Sequence, residues 1–435
     1  MDYRQATDFL FPLHRFGIRP GLERIGKLLD VLGHPEQRLG TVVHVAGTNG
    51  KGTVASCMAS IFRASGRKTG LFTSPHLVDF TERIRIDGRQ IEQWRVAEYC
   101  TKLQPFVIET EATFFEVTTA MAFAWFADEG VDASVIETGM GGRLDATNVV
   151  MADIVIIPSI GLDHTAWLGK SIREIAAEKA AIIKTGSRVF TAVPENETAF
   201  EPIRQVAEMR GAALHQVERE VACTVSEVRP GALDLRIALA GGEFHHVRVP
   251  LSGSFHAKNV SLAVMAARSA GISWEHITGG LAELASSGYR ARLECIADRP
   301  MVMLDVSHNP DGMQKTVQAL MELRSCFAAL HVLIGIAVDK DVAGIVRHIV
   351  TVADRIAVVA LPSERSLPAE ELGRLCREAG ARNVRLCHTS AEALELLERQ
   401  ARPEDMILVT GSFYLAGEVA AMERFLPSRR ADGAI

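Results

Sequence analysis

Apolar and polar positions follow two different rhythms along this chain. Short apolar runs at Thr41–Val45, Thr69–Thr73, Ala133–Glu137 and Ile154–Ile157 are separated by amphipathic stretches long enough for helices. Strand-length apolar runs spaced in this way predict a parallel sheet with helices on its faces. The Ala/Ser/Met-rich stretch from Val54 to Ala64 reads as one such helix, and Ser171-Ile172-Arg173-Glu174 as a capping box opening another. Between residues 187 and 250 the period shortens to two in segments such as Leu233-Asp234-Leu235-Arg236-Ile237 and His245-His246-Val247-Arg248-Val249, which predicts antiparallel β structure over much of that region. A second α/β series follows, with strands expected at Met301–Val306, His331–Ile336, Arg355–Ala360 and Met406–Thr410. Asp298-Arg299-Pro300 breaks the pattern, placing the expected boundary between a domain of residues 1–297 and a smaller one of 298–435. There is no short-period repeat or low-complexity tract, and Ser428–Ile435 is expected to fray.

Length supports two domains, since 435 residues exceed one ordinary core. A hydrophobic content of 48% with 23% charged residues describes a soluble globular protein. No apolar run reaches membrane-spanning length, and Met1-Asp2-Tyr3-Arg4-Gln5 is not a signal-peptide start. The seven cysteines, at 57, 100, 223, 295, 326, 376 and 387, are scattered, and no pair has metal-ligand spacing. Reduced thiols in the cytoplasm are the expectation. A net charge of −6 argues against nucleic acid as the main partner but leaves anionic small molecules open, given local positive charge.

The most informative stretch is His44-Val45-Ala46-Gly47-Thr48-Asn49-Gly50-Lys51-Gly52-Thr53, between a predicted strand and a predicted helix. A glycine-rich turn at a helix N-terminus suits phosphate, because backbone N–H groups and the helix dipole meet the anion and glycine allows close approach. Lys51 would reach the β- and γ-phosphates and the Thr53 hydroxyl would ligate magnesium. The general pattern G-x-x-x-x-G-K-[ST] is not met, since Gly52 separates Lys51 from Thr53. A glycine-rich turn without a nucleotide is the competing reading. Glu137 ends an apolar strand and so projects a carboxylate at the sheet edge, where a hard cation would find an oxygen ligand.

Gly-Thr-Asn-Gly-Lys-Gly-Thr resembles the phosphate loop of the Mur ligase superfamily, within it the folylpolyglutamate synthase/dihydrofolate synthase branch, where serine is usual in place of Thr53. The resemblance continues through Thr73-Ser74-Pro75-His76-Leu77, Glu82-Arg83-Ile84, Glu137 to Asn148, Gly161-Leu162-Asp163-His164 and Glu178-Lys179-Ala180-Ala181-Ile182. Asn259, Arg290-Ala291-Arg292-Leu293-Glu294 and Asp305-Val306-Ser307-His308-Asn309-Pro310 extend it. Asp339-Lys340-Asp341 and Gly411 to Glu418 also match but carry no specific chemistry. Phe255-His256 stands where the family has His-Gln, the clearest departure.

The resemblance implies an α/β fold: a P-loop Mur-ligase-like ATPase domain with a parallel sheet and a β-rich subregion, then a smaller Rossmann-like domain. It implies ATP contacts from Thr48, Asn49, Gly50, Lys51, Gly52, Thr53, Asn259, Arg292 and Asp305, with Arg292 at the domain junction. Magnesium, two ions in all, would be held by Thr53, Ser74, Glu137 and His164, with Asp163 orienting the imidazole. Lys179 would be carbamylated, converting a cation into an anionic ligand; by itself the sequence favours a snorkelling surface lysine. Lys51, Lys179 and His164 are the expected catalytic residues. Thr113, Phe114, Phe115 and Glu116 with Leu144, Asp145 and Ala146 would receive dihydropteroate or folate, although Phe114 and Phe115 on a helix are otherwise plain core. His308 would lie near incoming L-glutamate.

The implied reaction is attack of a dihydropteroate or reduced-folate carboxylate on the γ-phosphate of ATP. The α-amine of L-glutamate then captures the acyl phosphate to form an amide. Domain closure would keep water from that intermediate. The enzyme is expected to be a cytoplasmic monomer acting on small molecules, with no nucleic-acid or membrane partner. A Mur-type ligase on another carboxylate and a nucleotide-gated binding protein without catalysis are the alternatives.

Overall fold

The computed structural model describes residues 1–17 and 19–426; Ser428–Ile435, expected to fray, lies outside the described residues. The chain divides into two compact units. The first comprises Met1–Thr224, Arg236–Val247 and Ala257–Tyr289, and the second Val225–Leu235, Arg248–His256 and the chain from Arg290 onward.

The first unit is built on eight strands: β1 (Thr41–Val45), β2 (Thr69–Phe72), β3 (Ile84–Ile86), β4 (Arg89–Gln90), β5 (Ala133–Glu137), β6 (Ile154–Ile157), β7 (Arg188–Thr191) and β8 (Ala213–Gln216). They lie in the order β4-β3-β2-β5-β1-β6-β7-β8. The β2-β5-β1-β6-β7-β8 pairings are parallel, and β3 and β4 add an antiparallel edge. Central strands are buried on both faces, which is why Ile154 to Ile157 read as an unbroken apolar run and Val42, Val43 and Val45 as one interrupted only by the buried His44. The helix Lys51–Ala64 presents small residues, and Gly280 of the helix Trp274–Ala282 approaches it so closely that a Cβ there would lie 2.6 Å from Ile61 Cα. The helix Phe114–Asp128 is buried almost throughout, consistent with its nearly all-apolar sequence. Strand β1 lies between β5 and β6, with β2 on one side and β7 on the other. This is a topological switch point, and in such sheets ligands bind at the carboxyl ends of the strands.

Two expectations are corrected. Residues 188–216 are not antiparallel: β7 and β8 are parallel strands joined through the helix Phe200–Met209. The short-period pattern belongs only to β9 (Val221–Arg229), β10 (Ala232–Leu239) and β11 (His245–Val249), a separate sheet in the order β11-β10-β9 whose residues fall in both units. Their connections are too short for parallel crossovers.

Asp298-Arg299-Pro300 is the turn of a hairpin rather than a break between sheets. It joins β12 (Arg292–Asp298) to β13 (Met301–Asp305), which pair antiparallel. With β14 (Leu330–Ile334), β15 (Arg355–Val358), β16 (Val384–Leu386) and β17 (Met406–Thr410) they form the sheet of the second unit, order β12-β13-β17-β14-β15-β16. All its pairings but the first are parallel. Met303, Val332, Ile334, Ile356, Leu372 and Leu408 lie in its core.

Candidate active site

Val45 at the end of β1 is in register with Glu137 of β5 and Ile156 of β6, so three chain segments leave the sheet side by side. From β1 the loop Ala46–Gly50 runs into the helix Lys51–Ala64. Thr48 N–H donates to Ser159 O at 2.8 Å, Asn49 N–H to Ser159 Oγ at 3.1 Å, and Gly161 N–H to Thr48 Oγ1 at 2.9 Å. The phosphate loop and the Gly161–His164 loop are therefore tied together. Lys51 folds back over its own loop, donating to Gly47 O at 3.0 Å and Thr48 O at 3.2 Å.

Gly50 has φ of +88°, and a Cβ there would lie 2.6 Å from Asn259 Oδ1. Both the left-handed backbone and the seated Asn259 amide therefore require glycine. Gly50→Ala is expected to destabilise the protein by about 1–3 kcal/mol, read by urea unfolding, and to weaken ADP binding, read by calorimetry.

Glu137 is buried, and its Oε2 accepts Ser74 N–H at 3.0 Å. A Cβ on Gly52 would lie 3.7 Å from both Glu137 oxygens, so the carboxylate sits against the first turn of the phosphate-loop helix. Ser74 thus reaches Glu137 through its backbone. The buried Thr53 hydroxyl is 2.9 Å from the Tyr289 hydroxyl. His164 has φ of +50° and a side chain 37% exposed. Asp163 Oδ1 is 3.9 Å from His164 Nε2 and accepts the His164 backbone N–H at 2.9 Å. Among the described residues no group of three or more His, Cys, Asp and Glu side chains is arranged to hold a metal ion. The expected set contains only two residues of those types and takes its other donors from hydroxyls.

Lys179 is 4% exposed, and its amine donates to Gly47 O at 2.8 Å. The surface-lysine reading is excluded by this burial. Desolvation, and next the nearby Lys51 charge, pull its pKa from the usual lysine range down to about 7. Gly142 makes room for this helix: a Cβ there would meet Glu178 O at 2.5 Å and Lys179 Cα at 3.0 Å. Arg143 fastens the same contact, its N–H donating to Glu178 O at 2.9 Å and its guanidinium pairing with the Glu178 carboxylate. Asp145 is fully occupied in shaping the turn, accepting from Met140 N–H at 2.8 Å and Thr147 N–H at 3.0 Å; burial raises its pKa against those bonds.

Thr113 and Glu116 form the capping box of the helix Phe114–Asp128, and Glu116 also accepts from Arg24 Nε at 3.0 Å. Phe114 is buried beside Phe11 and Phe80, with the Arg83 guanidinium 5.0 Å from its ring centre. Phe115 is half-buried and lies against Gly139, where a Cβ would be 2.6 Å from the ring. That contact brings the 113–116 segment to the glycine-rich turn carrying half-buried Leu144 and buried Asp145 and Ala146.

In the second unit Asp305 ends β13 and is buried; its Oδ2 accepts from Ser307 N–H at 2.9 Å, Thr316 Oγ1 at 3.1 Å and Thr410 Oγ1 at 3.2 Å. His308 Nδ1 is 2.9 Å from Val306 O, so that nitrogen carries the proton. Arg292 lies between Ala291 and Leu293, both at positive φ, with its guanidinium 4.9 Å from the Phe413 ring centre. At the Phe255-His256 departure the two rings pack on each other with centroids 4.0 Å apart, and burial pushes the His256 pKa down to about 3.

Tyr289 is the site residue that sequence reasoning missed. It is 236 positions from Thr53, and nothing in the motif around Arg292 signals that contact.

Residues 45–267 match the Mur ligase middle domain and residues 291–413 the Mur ligase, glutamate ligase domain. The dihydrofolate synthase/folylpolyglutamate synthase of Bacillus subtilis is 32% identical over 96% of this chain and 98% of that protein. The probable bifunctional folylpolyglutamate synthase/dihydropteroate synthase of Haloferax volcanii is 34% identical over 96% of this chain, which spans 50% of that longer protein. Among solved structures, Escherichia coli FolC in complex with DHPP and ADP has a TM-score of 0.86 at 31% identity, covering 96% of this chain and 97% of that one. Mycobacterium tuberculosis folylpolyglutamate synthase complexed with ADP and AMPPCP has a TM-score of 0.87 at 32% identity, covering 97% and 99%. No helix among the described residues is long and apolar enough to cross a membrane.

Proposed function

Because this chain belongs to the Mur ligase superfamily, in its folylpolyglutamate synthase/dihydrofolate synthase branch, we propose that it is an ATP-dependent ligase joining L-glutamate to dihydropteroate or a reduced folate. The observation that carries this reading is the β1/β5 register, which sets the Glu137 carboxylate beside a lysine-bearing phosphate loop. An acceptor carboxylate attacks the γ-phosphorus of ATP and ADP leaves. The glutamate α-amine then attacks the acyl phosphate, expelling phosphate and losing a proton as the amide forms.

Loop N–H groups from Gly50 to Thr53 and the Lys51 ammonium stabilise charge on the transferring phosphoryl group, while Thr48 and Asn49, assigned to ATP as well, hold the loop through their N–H bonds to Ser159. Asn259 fixes the loop through Gly50. Three of the four expected magnesium donors are oxygens, and the Glu137 carboxylate already faces the loop, so the residues fit a hard cation. Thr53, Ser74, Glu137 and His164 would hold magnesium, which would offset repulsion between carboxylate and triphosphate. A Lys179 whose pKa is about 7 has a substantial neutral fraction near neutral pH and can take up carbon dioxide as a carbamate. Arg292 and Asp305 are assigned to ATP and His308 to glutamate. Phe115, with Leu144 and Ala146 across the Gly139 contact, is assigned to the pterin. Thr113, Glu116 and Asp145 shape that pocket through their caps, with Phe114 packing behind it. The enzyme is assigned to the cytoplasm as a monomer.

One site is proposed to serve both acceptors. With ATP, magnesium and labelled glutamate, the purified protein is expected to label both dihydropteroate and tetrahydrofolate. Labelling of one alone removes the bifunctional assignment, and labelling of neither favours a non-catalytic nucleotide-binding protein.

A further inference from the structure

The contact between Thr53 and Tyr289 joins a residue in the first turn of the phosphate-loop helix to the last residue of the first unit. Thr53 is 3% exposed, so its hydroxyl cannot rely on bulk water for a partner. At 2.9 Å the two hydroxyls share one hydrogen bond in which either can be the donor. That freedom has a chemical consequence. A hydroxyl carries one proton and two lone pairs. If Thr53 donates to Tyr289, both Thr53 lone pairs are left for a cation, and the phenol fixes the direction in which they point. If the phenol donates instead, it occupies one of those lone pairs.

Resting on the proposed magnesium-nucleotide site, we infer that Tyr289 is a positioning residue for Thr53, accepting its proton and aiming its oxygen at the metal of the nucleotide complex. The phenol touches neither phosphate nor metal in this arrangement and acts only through Thr53. Its aromatic ring is not needed for that role, whereas its oxygen is. Partners that orient a metal ligand in this way typically contribute 10- to 100-fold to metal affinity.

The test is calorimetric titration of the full chain with ADP, in magnesium and in EDTA, for the wild type and Tyr289→Phe. The substitution keeps the ring and removes the hydroxyl. Its dissociation constant for ADP is expected to rise about 10-fold in magnesium while remaining close to wild type in EDTA. In a Thr53→Ala background Tyr289→Phe is expected to have no further effect on the magnesium titration. Equal losses with and without magnesium would mark a merely structural contact and overturn the inference, as would an unchanged magnesium titration. A wild type whose ADP affinity ignores magnesium removes the metal site itself, and this inference with it. A magnesium-dependent wild type with an unaffected variant removes the Tyr289 role alone.

Discussion

Lys51→Ala is expected to lower ligase turnover at least about 100-fold while leaving the melting temperature close to that of the wild type. The asymmetry follows from where the ammonium sits. Lys51 is half-buried and donates to the carbonyls of Gly47 and Thr48. Gly47 O also receives the Lys179 amine at 2.8 Å, so removing Lys51 does not strip that carbonyl of a donor. Little stability is therefore at stake. The expected catalytic loss is larger because, in the proposed role, the ammonium acts on the transferring phosphoryl group where water is excluded. Lys51 also helps depress the Lys179 pKa, so its removal lets that value rise and disfavours the neutral amine. Steady-state phosphate release alongside thermal melting separates the two effects. Near-normal turnover by a folded Lys51→Ala protein removes the phosphate-loop assignment.

Much of this arrangement was legible in the sequence because it lies in local strings. The apolar-rich runs Thr41–Val45, Ala133–Glu137 and Ile154–Ile157 coincide with β1, β5 and β6, since strands buried on both faces are mostly apolar rather than alternating. Gly50 and Gly142 stand where a Cβ would clash with Asn259 and Glu178, so their positions encode close approaches. Other features needed the fold. The edge strand β16 has Arg385 and Leu386 exposed and shows no apolar run to read. Strands β7 and β8 were misread because a period-two signal downstream, in β9 to β11, was extended backwards over a βαβ unit. Thr113, Glu116 and Asp145 looked like ligand contacts, but their carboxylates and hydroxyl are engaged in capping. Chemical type and spacing reveal that a polar group is needed; only packing shows which partner it already has. The Thr53–Tyr289 contact is the extreme case, since no local string can encode a bond across 236 positions.

Lys179 carries the second large effect, and there stability and activity are expected to move in opposite directions. Lys179→Met should lower turnover at least about 100-fold, because the proposed anionic carbamate beside the phosphate loop can no longer form. The same change should stabilise the protein at pH 6. The folded-state pKa is about 7, against about 10.4 in the unfolded chain. Between those values the unfolded chain binds a proton that the folded chain does not, so this group makes stability rise with pH across the window. The cost of burying the amine is full below pH 7 and gone above the unfolded value. Each pH unit within the window is worth at most about 1.4 kcal/mol. Urea unfolding at pH 6 and pH 9, in EDTA and carbon-dioxide-free buffer, should therefore show a rise in the wild type that Lys179→Met lacks. The methionine keeps the apolar stem, and Gly47 O retains Lys51 as a donor, so no orphaned carbonyl offsets the gain. In crystals grown with bicarbonate and magnesium-ATP, the wild-type amine should carry a planar extension. An unmodified ammonium there, together with a pH-independent stability difference between the two proteins, would remove both the depressed pKa and the carbamate built on it.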